Sequence, residues 1–128
     1  MLDPKEIEDV RVKLDSDPAK IVLPALKYNE QGLIPVVAQC YETGDILMVA
    51  WMNEETMRIT LAEGKVCYWS RSRKEVWRKG ATSGEWQILK EMSYDCDKDC
   101  IVVKVIQEKG KACHTGKRSC FSWLMYKA

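Results

Sequence analysis

The chain of 128 residues is long enough to form one domain with a hydrophobic core of its own. Its 20 Lys and Arg residues against 19 Asp and Glu residues leave a net charge of +1, which argues against a general binder of nucleic acids or acidic membranes. No apolar run approaches the roughly 18 residues of a membrane helix, and residues 1–6 contain no apolar signal segment. We therefore expect a soluble, cytoplasmic, single-domain protein (residues 1–128) whose six cysteines are reduced.

The first half of the chain contains two clear local patterns. Residues 5–14 predict at most a short charged helix. Residues 34–41 and 46–52 are apolar runs rich in β-formers with turn residues between them, so they predict a hairpin. Asn53 can then cap a helix that ends at Gly64, where a left-handed residue is expected.

Short apolar runs with glycine-containing turns dominate the second half. Because strands joined by short turns are usually antiparallel neighbours, these runs predict a meandering sheet. We expect an α+β domain made mainly of antiparallel sheet, with one central helix. The predicted strands after the helix are residues 65–72, 86–94, 101–108 and 119–127.

An acidic cluster follows the second of these strands. In an extended segment, the two-residue period would place Asp95, Asp97 and Asp99 on one face and Cys96 on the other. Two carboxylates about 4 Å apart repel by roughly 4 kcal/mol at an effective dielectric constant of about 20, so three of them favour a divalent cation such as magnesium. The EF-hand is excluded, because the twelfth position from Asp95 is Ile106 rather than Glu. An exposed acidic turn without an ion is the alternative.

The thiols form a second candidate metal site. Cys113 and Cys120 flank a glycine-containing turn that could bring them together, and Cys96 lies upstream. Three thiolates with a vacant fourth position are typical of catalytic zinc, whereas recruitment of Cys100 or His114 would close the site and make it structural. His114 is the only histidine of the chain, so it is a candidate metal ligand or proton-transfer group.

Residues 68–86 interleave aromatic rings with arginines, hydroxyls and glycines. Arginine guanidinium groups and hydroxyl groups can bind a phosphate, and glycines let a phosphate approach the backbone closely, so the segment predicts a phosphate site. The Trp and Tyr rings could stack on a base. The segment contains neither a Walker motif nor a dinucleotide fingerprint. A solvated charged face with packed tryptophans is the alternative interpretation.

Taken together, five motifs in this order resemble the phosphoribosyl-AMP cyclohydrolase family between about residues 34 and 123. The resemblance implies the monofunctional form of a histidine-biosynthesis enzyme, which opens the adenine ring of N1-(5-phosphoribosyl)-AMP at the C6–N1 bond. The motifs are Trp69-Ser70-Arg71-Ser72-Arg73, Trp77-Arg78-Lys79-Gly80, Thr82-Ser83-Gly84, Asp95-Cys96-Asp97-Lys98-Asp99, and Ala112-Cys113-His114-Thr115-Gly116 followed by Ser119-Cys120-Phe121.

The resemblance also implies two metals and an intertwined homodimer. The zinc would be shared between subunits, with one thiolate from one chain and two from its partner. At two positions of the acidic motif, Lys98 and Cys100, the chain departs from the residues usual in the family. By position, the implied ligands are Cys96, Cys113 and Cys120 for zinc, and Asp95, Asp97 and Asp99 for magnesium.

Within this scheme zinc would make hydroxide available for attack at C6, and His114 would transfer protons. The expected partners are a phosphorylated nucleotide substrate and a second copy of the chain, with neither nucleic acid nor membrane. Two other functions remain open: a zinc-stabilised binding module without catalysis, and a nucleobase deaminase, whose H-x-E motif is missing after His114. The residues predicted to bind the substrate phosphates are Arg71, Arg73, Lys79 and Ser83.

Overall fold

A four-stranded sheet and a separate two-stranded hairpin make up the β structure of the computed structural model, which describes residues 2–128. One α-helix lies between the second and third strands. The α+β class and the largely antiparallel sheet are confirmed. The elements are β1 (Ile34–Cys40), β2 (Ile46–Met52), α1 (Glu54–Glu63), β3 (Cys67–Ser70), β4 (Glu75–Arg78), β5 (Gln87–Tyr94) and β6 (Ile101–Gln107), with 3-10 turns at Pro4–Glu6, Pro18–Lys20 and Glu108–Gly110.

The large sheet has the strand order β2-β1-β6-β5. The β1–β2 and β5–β6 pairs are antiparallel, but β1 and β6 are parallel neighbours, with Val36 opposite Ile101 and Cys40 opposite Val105. The predicted simple meander is therefore wrong at this pair. Both central strands alternate buried and partly exposed residues in the same phase, so pairing them buries their apolar residues on one continuous face.

Helix α1 forms where it is predicted because both of its ends are capped. The side chain of Asn53 accepts a hydrogen bond from the Thr56 N–H at 2.8 Å, and the Thr56 hydroxyl accepts one from the Asn53 N–H at 3.0 Å. Gly64 ends the helix with a left-handed φ of 73°. The buried face of the helix packs over β3 and closes one side of the core. Fully buried residues of this core include Ile34, Val36, Leu47, Met52, Val66, Tyr68, Val103 and Val105.

Two predicted elements are wrong and one was missed. Residues 5–14 form no α-helix beyond the turn at Pro4–Glu6, because residues 2–11 are exposed and a short helix without tertiary packing is marginal in water. Residues 119–127 form no strand and have no strand partner in the described chain. Conversely, the charged run after β3 contains β4, which pairs with β3 and completes a hairpin. None of the described helices has the length and apolar content that a bilayer crossing requires.

Gly80 begins the loop from β4 to β5 in a backbone conformation that other residues tolerate poorly. Its φ is 91°, and an added Cβ would collide with the backbone nitrogen of Trp86. The loop is closed by the Gly84 N–H, which donates to the Gly80 carbonyl at 2.7 Å. We expect Gly80→Ala to lower the free energy of unfolding by about 2–5 kcal/mol, from the left-handed strain and the overpacking together.

Urea unfolding followed by circular dichroism measures this loss. Gly32→Ala is the matched control, because Gly32 has a similar φ of 75° but open space around its would-be Cβ. The free energy of unfolding of the control should fall by only about 1–2 kcal/mol, from the left-handed strain alone. Equal losses in the two variants would show that the close approach to Trp86 has no energetic consequence.

Candidate active site

A cleft of about 800 Å³ opens beside the β3–β4 hairpin. One wall is the hairpin and the loop that follows it, and the other is the turn at residues 113–116. Five of the residues singled out from the sequence line this cleft, although they are spread over more than 40 positions of the chain. They are Arg73, Lys79, Ser83, Cys113 and His114.

The turn that carries Cys113 is held by backbone hydrogen bonds. The Cys113 N–H donates to the Lys117 carbonyl at 3.1 Å, and the Gly116 N–H donates back to the Cys113 carbonyl at 3.0 Å. Gly116 allows the reversal with a φ of 86°. The chain then returns along β2, where the Cys120 N–H donates to the Leu47 carbonyl at 2.7 Å. The predicted turn therefore forms and brings the two cysteines to one place.

The thiols of Cys113 and Cys120 are close enough to influence each other's ionisation, and their pKa values shift in opposite directions. Hydrogen bonds from Thr115, whose hydroxyl donates to the Cys113 sulfur at 3.1 Å, lower the pKa of the Cys113 thiol. Burial raises the pKa of the Cys120 thiol, and its hydrogen bond to Cys113 adds to that rise. Cys113 is thus the thiol that ionises first. Thr115, which the sequence interpretation assigned only to the turn, contacts the candidate ligand directly.

Lys79 lines the cleft near the thiols and is only 7% exposed. Its ammonium donates to the Ala112 carbonyl at 2.6 Å and lies 5.4 Å from the centre of the Trp77 ring. Burial lowers the pKa of Lys79, and the neighbouring Glu85, followed by Cys120 and Cys113, acts in the opposite direction. The Lys79 ammonium therefore already has partners within the protein.

The other predicted phosphate-binding residues are exposed. Arg73 and Ser83 face the cleft from opposite ends of its hairpin wall, and the Ser83 hydroxyl accepts a hydrogen bond from the Glu85 N–H at 3.1 Å. Arg71 is not among the residues that line the cleft; its guanidinium lies over the Trp51 ring at 4.6 Å. His114 is exposed at the cleft rim, so a ligand in the cleft can reach its imidazole.

A buried polar network supports the loop wall of the cleft. The Tyr68 hydroxyl donates to Gln87 Oε1 at 2.6 Å, and Gln87 Nε2 donates to Gln107 Oε1 at 2.9 Å. Gln107 Nε2 then donates to the Glu85 carbonyl at 2.9 Å. Sequence reasoning missed this network; its signal is a glutamine at the first position of β5 and another at the last position of β6, both of them buried.

The three aspartates converge, although in a different conformation from the predicted one. Residues 95–99 form a tight turn in which Lys98 has a φ of 62°, so the expected extended alternation is wrong. One carboxylate oxygen from each of Asp95, Asp97 and Asp99 lies within 4.8 Å of the others. The turn forms because the Asp95 carboxylate accepts a hydrogen bond from the Asp99 N–H at 3.1 Å.

This crowding shifts the pKa values of two of the carboxyl groups. The hydrogen bond from the Asp99 N–H lowers the pKa of Asp95, whereas a hydrogen bond with the Asp95 side chain and the neighbouring negative charges raise the pKa of Asp99. Three oxygen donors that repel one another while exposed to solvent fit a hard divalent cation such as magnesium.

Cys96 lies in the acidic turn, far from the other two thiols. The cleft adjoins the start of β5 and the acidic turn follows its end, and eight residues of strand separate them. At roughly 3.4 Å per residue, β5 alone spans about 25 Å. Cys96 therefore cannot join Cys113 and Cys120 within one chain. Among residues 2–128, the only three acidic, thiol or imidazole ligands that converge are the three aspartates.

Comparison with known proteins places this arrangement in a family. The family model described as phosphoribosyl-AMP cyclohydrolase matches residues 48–122. A phosphoribosyl-AMP cyclohydrolase from Marinobacter nauticus is 49% identical over 112 residues, which cover 84% of this chain and 81% of that protein. The protein of the same name from Magnetococcus marinus is 54% identical over 99 residues, or 77% of this chain and 76% of its own.

A longer relative is also similar. The histidine biosynthesis bifunctional protein HisIE of Synechocystis is 53% identical over 104 residues, which cover 81% of this chain and 48% of that protein. The region that the family model matches, residues 48–122, contains the cleft, the acidic turn and the thiol turn. The chain therefore belongs to the phosphoribosyl-AMP cyclohydrolase family.

Proposed function

We propose that this protein is a phosphoribosyl-AMP cyclohydrolase of histidine biosynthesis, a hydrolase that opens the adenine ring of N1-(5-phosphoribosyl)-AMP. The observation that carries the proposal is the convergence of Cys113, His114, Arg73 and Ser83 on one cleft. The cleft thereby combines one thiol that can bind a soft metal, a proton-transfer group and phosphate-binding groups. Its volume of about 800 Å³ is within the range of small-molecule sites.

The donor set fits a zinc ion shared by two chains. Cys113 and Cys120 supply two adjacent thiols, and the third ligand, Cys96, would come from a second copy because it cannot reach the cleft in its own chain. The exposed apolar side chains after Cys120 support association, since a monomer rarely leaves such a patch in water. These side chains are Phe121, Trp123, Leu124, Met125 and Tyr126, of which Met125 is fully exposed.

The same association would bring the acidic turn to the cleft. Asp95, Asp97 and Asp99 adjoin Cys96, so a magnesium ion held by their carboxylates would lie beside the zinc of the other chain. The role that suits such an ion is to bind a phosphate of the substrate or to order the substrate. This arrangement is the basis for proposing an active site at a homodimer interface.

The residues of the cleft suit hydrolysis at C6 of the purine. Zinc bound to three thiolates supplies Lewis acidity and makes hydroxide available near neutral pH. The oxygen of water adds to C6, the C6–N1 bond breaks, and N1 accepts a proton, so that C6 becomes the carbon of a carboxamide. The exposed imidazole of His114 would take the proton from water and return it to N1, while Arg73 and Ser83 hold a phosphate.

A direct assay tests the proposed function. Purified protein is incubated with N1-(5-phosphoribosyl)-AMP, and the ultraviolet change on ring opening is followed before and after a chelator removes zinc. We expect conversion that stops with the chelator, resumes when zinc is added and releases no ammonia. Absence of conversion by folded, zinc-loaded protein would overturn the proposal, and ammonia release would favour a deaminase.

The binding-module alternative makes a different prediction in the same experiment. A purely structural zinc should be required for folding, so the chelator would unfold the chain and no substrate would be converted. Of the three proposed zinc ligands only Cys113 is buried, and it lies outside the apolar cluster of the core. We therefore expect the circular dichroism spectrum to persist after zinc is removed.

A further inference from the structure

The ammonium of Lys79 joins the two walls of the cleft. Lys79 follows the last residue of β4, and its side chain crosses to the carbonyl of Ala112 at 2.6 Å. Ala112 directly precedes Cys113 and is itself only 2% exposed. The contact therefore ties the end of the hairpin to the residue before the first thiol of the turn.

No other donor in the described chain satisfies the Ala112 carbonyl. The Ala112 N–H donates to the Arg118 carbonyl at 3.0 Å, but its own oxygen accepts only from Lys79. A buried carbonyl that loses its partner is costly, so the turn would move to find another donor or water. The position of Cys113 and His114 therefore depends on this one side chain.

The same burial argues against a direct role in binding phosphate. A phosphate-binding lysine presents its donors to the ligand, as the exposed Arg73 and Ser83 do here. Lys79 instead has its ammonium between the Trp77 ring and the Ala112 carbonyl. One divalent cation with three thiolates has a net charge of −1, and a fixed cation beside Cys113 and Cys120 offsets it.

We propose that Lys79 is a positioning residue: it holds the Cys113–Gly116 turn through the Ala112 carbonyl and supplies a positive charge near the thiolates. This role differs from the direct contact with a substrate phosphate that the sequence predicts for Lys79. The kinetic part of this inference rests on the proposed function, whereas the metal-binding and labelling parts do not.

Lys79→Met keeps the length of the apolar stem and removes the ammonium. For a positioning residue we expect kcat to fall about 10–100-fold with KM changed less than about threefold, because ground-state phosphate contacts persist. Zinc affinity, measured by competition with a chromophoric chelator, should fall by a similar 10–100-fold. The visible spectrum of cobalt bound in place of zinc should also change.

Lys74→Met is the matched control, since Lys74 lies exposed in the turn of the same hairpin and its loss changes the net charge equally. It should retain the zinc affinity and cobalt spectrum of the wild type. A Lys79→Met protein with a large rise in KM but unchanged kcat and zinc affinity would overturn the proposal and identify a phosphate ligand.

Labelling of the unmodified protein decides the matter even if Lys79→Met does not fold. Zinc-loaded protein is treated with a lysine-acetylating reagent, with and without AMP, and the rate at each lysine is read by mass spectrometry. We expect Lys79 to react at least about tenfold more slowly than Lys74, with no effect of AMP, because its ammonium is buried and hydrogen-bonded. Rapid labelling of Lys79 that AMP suppresses would contradict the proposal.

Discussion

A mixture of Cys96→Ser and Cys113→Ser proteins is expected to recover about a quarter of the wild-type activity, although each variant alone should be inactive. The reason is the separation of about 25 Å along β5 between the acidic turn and the cleft, so in the proposed dimer Cys96 would complete the zinc site of the partner. On random exchange about half of the dimers are mixed, and each mixed dimer has one complete set of thiols. Activity is measured after the two variants are co-refolded at equal concentrations.

The control for this complementation uses two ligands from the same half of the site. A mixture of Cys113→Ser and Cys120→Ser should stay inactive, because the two thiols come from one chain and every site in the mixture lacks one of them. Recovery in both mixtures, or full activity of Cys96→Ser alone, would contradict a zinc site shared between subunits. Zinc content per dimer, measured in parallel, should follow activity.

Replacing His114 by Ala is expected to lower kcat about 10²–10⁴-fold while the fold and the zinc content are retained. His114 is exposed at the rim of the cleft, and the structure gives its ring no hydrogen bond that supports the turn. The loss should therefore come from proton transfer to and from the substrate. Steady-state kinetics, thermal unfolding and metal analysis of the same preparation measure the three quantities.

Lys111→Ala is a suitable control, because Lys111 is exposed near the same turn and its side chain makes no hydrogen bond or ion pair in the described structure. It should leave kcat within about twofold of the wild type, as expected for an exposed residue without contacts. If His114→Ala instead lost zinc in proportion to activity, His114 would be a metal ligand and the zinc site closed. Full activity would exclude the proton-transfer role.

Local patterns predicted the elements whose stability depends on adjacent residues. The hairpin of β1 and β2, the capped helix α1 and strand β6 all lie within a residue or two of the predicted bounds. Each has its own turn, cap or alternation, so neighbouring residues define it. The cysteine turn belongs to the same class, because Gly116 permits the reversal that pairs Cys113 with Cys120.

Other elements depended on partners distant in the sequence. Strand β4 lies in a run of charged residues, so its pairing with β3 is not evident from sequence. The parallel contact of β1 with β6 joins residues 65 positions apart, as in the pair Val36 and Ile101. The apolar alternation of residues 119–127 predicted a strand, but no sheet edge in the described chain pairs with it. A strand needs a partner for its backbone groups, and sequence alone does not supply one.

The candidate site also has some features that the sequence predicts and others that depend on the tertiary structure. The sequence by itself determined which residue types can bind zinc, magnesium and phosphate, because ligand chemistry belongs to the side chains. Only the tertiary structure decided that Cys96 lies at the opposite end of β5 from Cys113, and that the carboxylates converge through a turn. It also decided that Lys79 is buried against Ala112 rather than exposed to a ligand. Distance and burial arise from packing between remote segments, which local pattern does not encode.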